Sequence, residues 1–337
     1  MPSTVLVTRG DLVESRHRVS LAVVRADGAR VAASGDQGLV AFWRSCAKFF
    51  QALPLVADGA ADALGIDDEE LALACASHNG EDRHVAVARR LLAHAGAAMD
   101  DLVCGPHASI SDDVERDRRT RGLETTRAHS NCSGKHAAML ALARHRGWSR
   151  DYADPRHPLQ RRCLEEVARW ADLPVAAVPQ ATDGCGVPSF ALPLEAMALA
   201  YARLGAAAAG DPVPAAGAAT AAAARRLLAA VREHPFLLAG TGRLDTDLIR
   251  ASGGRIVAKV GAEGVYCAAI PELRLGLALK VEDGASRALD PTVLALLEAV
   301  APGFAPALEA YRAPEILNTR GATVGRVEAR IELHRDA

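Results

Sequence analysis

The sequence predicts a mixed α/β fold of the α+β kind: one antiparallel sheet formed by both chain ends, with a helical lobe inserted between them. Three observations carry this. Short β-rich segments separated by Gly and Asp turns occupy residues 1–35, helix-like segments fill the middle, and alternating segments with tight Gly turns return in the last third.

In chain order, Val5 to Thr8, Val19 to Val24 and Val31 to Ser34 read as strands. Helices are expected from about Ser45 to Leu64, from Arg83 to Ala95 with Gly96 as the stop, after Ser133, from Cys163 to Ala171 and from Ser189 to Leu204. The segment Gly205 to Gly217 is rich in Ala, Gly and Pro and reads as a flexible surface loop, because small residues bury too little to order it. A helix follows from about Ala218 to Glu233. Ile256 to Val260, Gly264 to Ile270 and Leu275 to Val281 alternate as consecutive strands, and a helix at Thr292 to Val300 and a strand near Val324 to Leu333 close the chain.

A length of 337 residues is about twice that of a usual domain, and a single two-lobed domain spanning residues 1–337 is expected. Hydrophobic residues make up 50% of the chain, enough for a sizeable core, but aromatics only 4%, so Ala, Val and Leu must build most of it. A formal charge of −2 leaves no electrostatic footprint for nucleic acid or an acidic membrane. The N-terminal residues lack the basic and apolar regions of a secretory signal, and no stretch approaches the roughly 20 apolar residues of a membrane helix. Seven widely spread cysteines suit a reducing cytoplasm and not a disulfide framework.

Three short pieces carry serine chemistry. Arg44-Ser45-Cys46-Ala47-Lys48 contains S-x-x-K at a helix start, and residues three apart share a helix face, so Lys48 can reach the hydroxyl of Ser45. Serine is a poor nucleophile without an adjacent base, and a lysine becomes that base when burial or neighbouring positive charge lowers its pKa. Alone, the piece reads more readily as a capping serine and a surface lysine. Ser77-His78-Asn79-Gly80-Glu81 follows the apolar run Leu71 to Ala76 and contains S-x-N, although five polar or Gly residues there also suit a plain turn. Lys259-Val260-Gly261 places a lysine inside an otherwise apolar strand, where a buried amine needs a partner. In order, S-x-x-K, S-x-N and K-x-G are the serine β-lactamase and penicillin-binding set, but the gap between the first two is short for a standard β-lactamase.

Ser130-Asn131-Cys132-Ser133-Gly134-Lys135-His136 and Asp183-Gly184-Cys185-Gly186-Val187-Pro188 form a second constellation. Cys132, Lys135 and His136 can share a helix face, and Cys185 sits on a Gly-rich loop able to bend toward them. Two thiolates plus a nitrogen are a plausible zinc set, with Asp183 or water as a further ligand, and on ligand type alone His136 is the preferred nitrogen. Two buried cysteines beside a helix N-terminus, with Gly134 permitting close backbone approach, is the plainer reading.

These pieces, with Val13 to His17 and Lys259 to Gly264, closely resemble the Rhizobium etli-type L-asparaginases, the class 3 or thermolabile asparaginase II family; the matches run in order over nearly the whole chain. The resemblance implies a serine β-lactamase-like fold, a cytoplasmic homodimer and hydrolysis of L-asparagine to L-aspartate and ammonia. It implies two serine–lysine pairs, Ser45 with Lys48 and Ser77 with Lys259. It implies one zinc per chain on Cys132, Lys135 and Cys185, aiding substrate binding without generating the nucleophile. His136 is then placed against the substrate instead of the metal, and Arg44 lies in the pocket as a partner for the substrate carboxylate. Asn79 and Asp183 join the substrate-binding set.

Two positions depart from relatives. Phe49 stands where many carry Pro, and Asp245 stands where some carry a Cys that approaches the site. An acid at Asp245 would bind the substrate ammonium or tune a lysine. The competing expectations are a glutaminase, another serine amidohydrolase or β-lactam-hydrolysing enzyme of the same fold, and a zinc-containing ligand-binding protein without activity. The extra methylene of glutamine is worth only about 1–3 kcal/mol of discrimination, so the sequence leaves the Asn/Gln ratio open.

Overall fold

The computed structural model describes residues 2–304 and 306–335. Strands β1 (Ser3–Arg9), β2 (Leu12–Arg25), β3 (Arg30–Ser34) and β4 (Val40–Phe42) come first. Seven helices follow: α1 (Lys48–Ala57), α2 (Ala60–Leu64), α3 (Asp68–Ala74), α4 (Asp82–His94), α5 (Asp112–Thr120), α6 (Ser133–His145) and α7 (Pro158–Ala171). The hairpin β5 (Gln180–Thr182) and β6 (Pro188–Pro193) leads into α8 (Leu194–Ala209), α9 (Ala218–Glu233), α10 (Pro235–Leu238) and α11 (Leu244–Ala251). Strands β7 (Val257–Val260), β8 (Val265–Ile270) and β9 (Leu275–Val281) precede α12 (Leu289–Val300), α13 (Glu309–Arg312), β10 (Glu315–Leu317), β11 (Thr323–Arg330) and β12 (His334–Arg335). The chain divides into two compact units, one of residues 1–46, 192–205 and 248–337, the other of residues 47–191 and 206–247.

The first unit is built on a sheet of nine strands among the described residues, in the order β10-β11-β1-β2-β9-β8-β7, with β3 also on β2 and β12 on β3. Its ladders are antiparallel, and the two chain ends meet directly where Val5 pairs with Ala329 and Val7 with Val327. β2 shows why the sheet has a centre. Its first half alternates between exposed and half-buried residues, whereas Val19 to Val24 is buried throughout and pairs with β9 on one edge and β3 on the other. β8 is buried at every position. The N-terminal half of α8 covers part of this sheet closely enough to require Gly276: a Cβ there would lie 2.0 Å from the carbonyl oxygen of Ala198. Both chain ends therefore do supply one antiparallel sheet.

The second unit is helical. α1 is buried from Lys48 to Leu55 and packs against α6, α7 and α9. α6 is buried without interruption from Ser133 to Ala143, the pattern of a helix enclosed on all sides, and alanine permits the close approach. Phe50 meets Trp170 edge to face at 6.0 Å, one of the few aromatic contacts available to so aromatic-poor a chain. α3 begins with a capping box in which Asp67 accepts from the Glu70 amide and Glu70 accepts from the Asp67 amide.

Three expectations change. The helix foreseen over Ser45 to Leu64 is three pieces: a 3-10 turn at Arg44–Ala47, then α1, then α2 after the turn-forming dipeptide Asp58-Gly59. The helix foreseen from Ser189 begins only at Leu194, because Ser189 to Leu192 lies between Pro188 and Pro193 and pairs as β6 with β5. Gly205 to Ala209, assigned to a loop, completes α8, and Val213 and Ala216 beyond it are buried. Among the described residues no helix is long and apolar enough to cross a membrane.

Candidate active site

In the sheet unit, Ser45 lies half-buried on the 3-10 turn at Arg44–Ala47. Arg44 adopts a left-handed backbone conformation (φ 51°), which a non-glycine residue seldom takes without a compensating role. The turn is tied down from several directions. The Cys46 thiol donates to the backbone carbonyl of Lys259 at 3.0 Å, Tyr201 donates to the Cys46 carbonyl at 2.7 Å, and the Trp43 indole donates to Cys267 Sγ at 3.3 Å. The serine turn is thus stitched to β7 at Lys259. The Lys259 side chain is fully buried and its amine donates to the Val260 carbonyl at 2.9 Å. Arg44 also lines a cavity of about 500 Å³ together with Arg18, Asp36, Glu263, Lys280 and Glu282, a mixture of both charge signs.

In the helical unit, Lys48 opens α1 and is fully buried. Its amine lies 2.5 Å from the Ala76 carbonyl, 2.9 Å from Ser77 Oγ and 3.4 Å from the Asn131 carbonyl. Two carbonyls can only accept, so each takes an N–H bond, and the serine hydroxyl and the Cys132 thiol also lie within hydrogen-bond reach of the nitrogen. Spacing alone points Lys48 at Ser45; the structure brings it to the serine of the second motif.

The segment carrying Ser77 is held as a short extended piece, with the Ser77 and Asn79 amides donating to the carbonyls of Leu238 and Ala239 at 2.9 Å. His78 receives a bond from the Gly80 amide at Nδ1 and lies 3.0 Å from Ser133 Oγ at Nε2. It stacks on His84, which in turn stacks on Phe236. Burial pushes both imidazoles down, His84 to about 4, so both are neutral near pH 7. The Asn79 amide is committed to the neighbouring loop: Nδ2 donates to the Thr241 carbonyl at 3.0 Å and reaches Glu81 at 3.3 Å, while Oδ1 accepts from Arg243 at 2.9 Å. Asp245, on the first turn of α11, is buried.

The cysteine motifs converge as well. Lys135 Nζ lies 3.1 Å from Cys185 Sγ, and that sulfur lies 3.8 Å from Asp183 Oδ2. Cys132 is pulled well below the ordinary thiol range by a hydrogen bond from Cys185, against its burial and with help from Lys48 and Lys135. The same hydrogen bond and burial push Cys185 up. Within the pair the proton is therefore drawn toward Cys185. Burial lowers Lys135, but the neighbouring charges of Cys185, Cys132 and Asp183 outweigh it and raise its pKa. This packing needs Gly134, since a Cβ there would fall 2.3 Å from the Leu73 carbonyl. Next along α6, His136 is fully buried with Nδ1 2.7 Å from the hydroxyl of Tyr152.

The donor chemistry fits a zinc ion as two sulfurs and an amine nitrogen, with a carboxylate at the edge. Among the described residues no group of three or more His, Cys, Asp and Glu could hold a metal, so a zinc ion here would need the Lys135 amine, deprotonated, beside the two sulfurs. Two neighbours escape motif reading. Cys104, buried and pushed up by that burial, interacts with Cys132, and Tyr152 holds His136; neither stands in a pattern that spacing would single out.

The chain matches the family model described as L-asparaginase II over residues 5–329. No curated protein matches it. One similar solved structure is the crystal structure of Mglu in its native form in the presence of 4.3 M NaCl, with 14% identity and a TM-score of 0.47. The match covers 87% of this chain and 62% of Mglu, so the chain spans less than two thirds of that protein's length.

Proposed function

The chain belongs to the L-asparaginase II family, and from that membership we propose that it hydrolyses L-asparagine to L-aspartate and ammonia through two serine–lysine pairs. The observation that carries the reading is the buried Lys48 amine, capped by two carbonyls and set 2.9 Å from Ser77 Oγ. Neutral Lys48 takes the proton of Ser45, and Ser45 Oγ attacks the side-chain amide carbon of asparagine. The contact between Lys48 and Ser77 supplies a route by which that proton reaches the leaving nitrogen, so that ammonia departs. Water then cleaves the β-aspartyl ester. Backbone amides near Ser45 stabilise the oxyanion, and Lys259 helps to keep one lysine neutral, because neighbouring cations lower each other's pKa.

Arg44 is assigned to the substrate carboxylate, for which its planar fork is suited. His136, Asp183 and Asp245 complete the binding set, with Asn79 shaping the loop at Thr241. Cys132, Lys135 and Cys185 would hold one zinc per chain, whose chemistry is to aid substrate binding. The motif order further supports a serine β-lactamase-like fold, and the family resemblance supports a cytoplasmic homodimer.

The test is ammonia release from L-asparagine and from L-glutamine by the wild type and by Ser45→Ala. Activity on asparagine that is lost in the variant is the expected result. Release from glutamine alone would make the protein a glutaminase. Release from neither, by folded and metal-loaded protein, would leave the binding-protein reading. A β-aspartyl adduct trapped on Ser77 would reverse the roles of the serines.

A further inference from the structure

Tyr152 is fully buried, and its hydroxyl is engaged on two sides. The Val103 backbone N–H donates to it at 2.9 Å, and His136 Nδ1 lies 2.7 Å away. The two rings meet edge-on with centroids 5.5 Å apart, and Gln160 Nε2 fixes the backbone of Tyr152 by donating to its carbonyl at 2.6 Å. A phenol has a single proton to donate. One of its lone pairs already accepts from Val103. If His136 Nδ1 also donated, the phenolic proton would point into buried space without an acceptor among the described residues. The arrangement that gives the phenolic proton an acceptor has the Tyr152 O–H donating to Nδ1, which leaves the ring proton of His136 on Nε2.

That Nε2–H is buried and meets no hydrogen-bond partner among the described residues. His78 and His84, the neighbouring buried histidines, differ in having both ring nitrogens engaged. A buried donor without an acceptor is costly and is retained where something else supplies the acceptor.

We propose that Tyr152 is a positioning residue that locks His136 in its Nε2–H tautomer, so that His136 donates a hydrogen bond to an oxygen atom of the bound amino-acid amide. In this tautomer Nε2 has no lone pair to offer, so His136 is neither a proton acceptor nor a metal ligand through that atom. The identity of the ligand rests on the asparaginase reading; the tautomer does not.

The test is a long-range proton–nitrogen correlation spectrum of the full chain labelled with ¹⁵N-histidine and free of substrate, with the His136 signals identified by their loss in His136→Gln. The expected spectrum has an unprotonated Nδ1 and a protonated Nε2. In Tyr152→Phe the His136 signals move to a mixture of tautomers, and KM for L-asparagine rises about tenfold while kcat stays within about twofold, the pattern of a lost binding contact. A protonated Nδ1 in the wild type overturns the proposal, as does an unchanged tautomer in folded Tyr152→Phe. The wild-type spectrum decides the matter even if that variant does not fold. A chain that released no ammonia would sink the functional reading and leave the tautomer standing.

Discussion

Two buried lysines of the helical unit share one neighbour, Cys132, and differ in the rest of their surroundings. The amine of Lys48 has two carbonyls and the Ser77 hydroxyl about it besides the Cys132 sulfur, while the amine of Lys135 lies against Cys185 and under the charge of Cys132 and Asp183. The oxygens about Lys48 direct its nitrogen at the Ser77 hydroxyl. Thiolate and carboxylate supply charge and hold Lys135 protonated until another cation competes for the same sulfurs. Burial alone therefore says little about what a lysine does; the element facing it decides.

The sharpest way to break this contrast is to remove each amine in turn. Lys48→Ala should lower ammonia release from L-asparagine about 10³-fold at neutral pH, within the range of general-base catalysis, whereas Lys135→Met should act mainly through KM. Full turnover by Lys48→Ala would falsify the assignment of the base. On the sulfur side, Cys132→Ser or Cys185→Ser should reduce zinc in protein purified without chelators from about one per chain to none, with weaker substrate binding. Wild-type protein that contains no metal under those conditions removes the zinc reading.

The stacked histidines beside Ser77 sharpen the contrast through pH. His84 is held neutral down to about 4 by burial, so between its ordinary value of 6.5 and about 4 the unfolded chain binds a proton that the folded chain does not. Its contribution is fully present above 6.5 and is lost as pH falls toward 4, about 3 kcal/mol for this group. Denaturant midpoints measured from pH 7 to pH 4 should fall accordingly, and His84→Phe, which keeps a stacking ring, should flatten the decline. The smallest effect is expected at Asn79→Ala, which frees the loop at Thr241 and Arg243 and should cost about 2 kcal/mol in thermal denaturation with a modest rise in KM.

The features legible in the sequence are those with a local cause. Period-two alternation marked β7, β8 and β9 to within a residue, and the run of alanines with Leu227 and Leu228 marked α9. Ser45 and Ser77 stand out because each sits in a short polar piece at the end of an apolar run, and Lys135 and Cys185 because each sits beside glycine and cysteine in a compact motif. What remained hidden depends on distant partners. Nothing near Lys48 in the chain announces the carbonyls of Ala76 and Asn131. Tyr152 lies in an ordinary turn-rich stretch, and only the fold places its hydroxyl against His136. Asp112–Thr120 is too polar for apolar periodicity, so α5 escaped notice; its Glu115 is gripped instead by Arg118 and Arg119. The β6 segment was lost to a helix because its apolar run continues straight into α8.

The pairing of Val5 with Ala329 sets an order of events during synthesis. β1 leaves the ribosome long before its outer neighbour, β11, is translated. The helical unit, whose last residue precedes β7, has all of its sequence available well before then. Its packing can be finished while the sheet still lacks a border, leaving one side of β1 open to chance pairing with another nascent chain. β11 is therefore a late seal on that side of β1. Shortening the chain before Thr323 should yield a protein that aggregates through β1 even though its helices are intact, and the loss should be seen first as a drop in soluble yield.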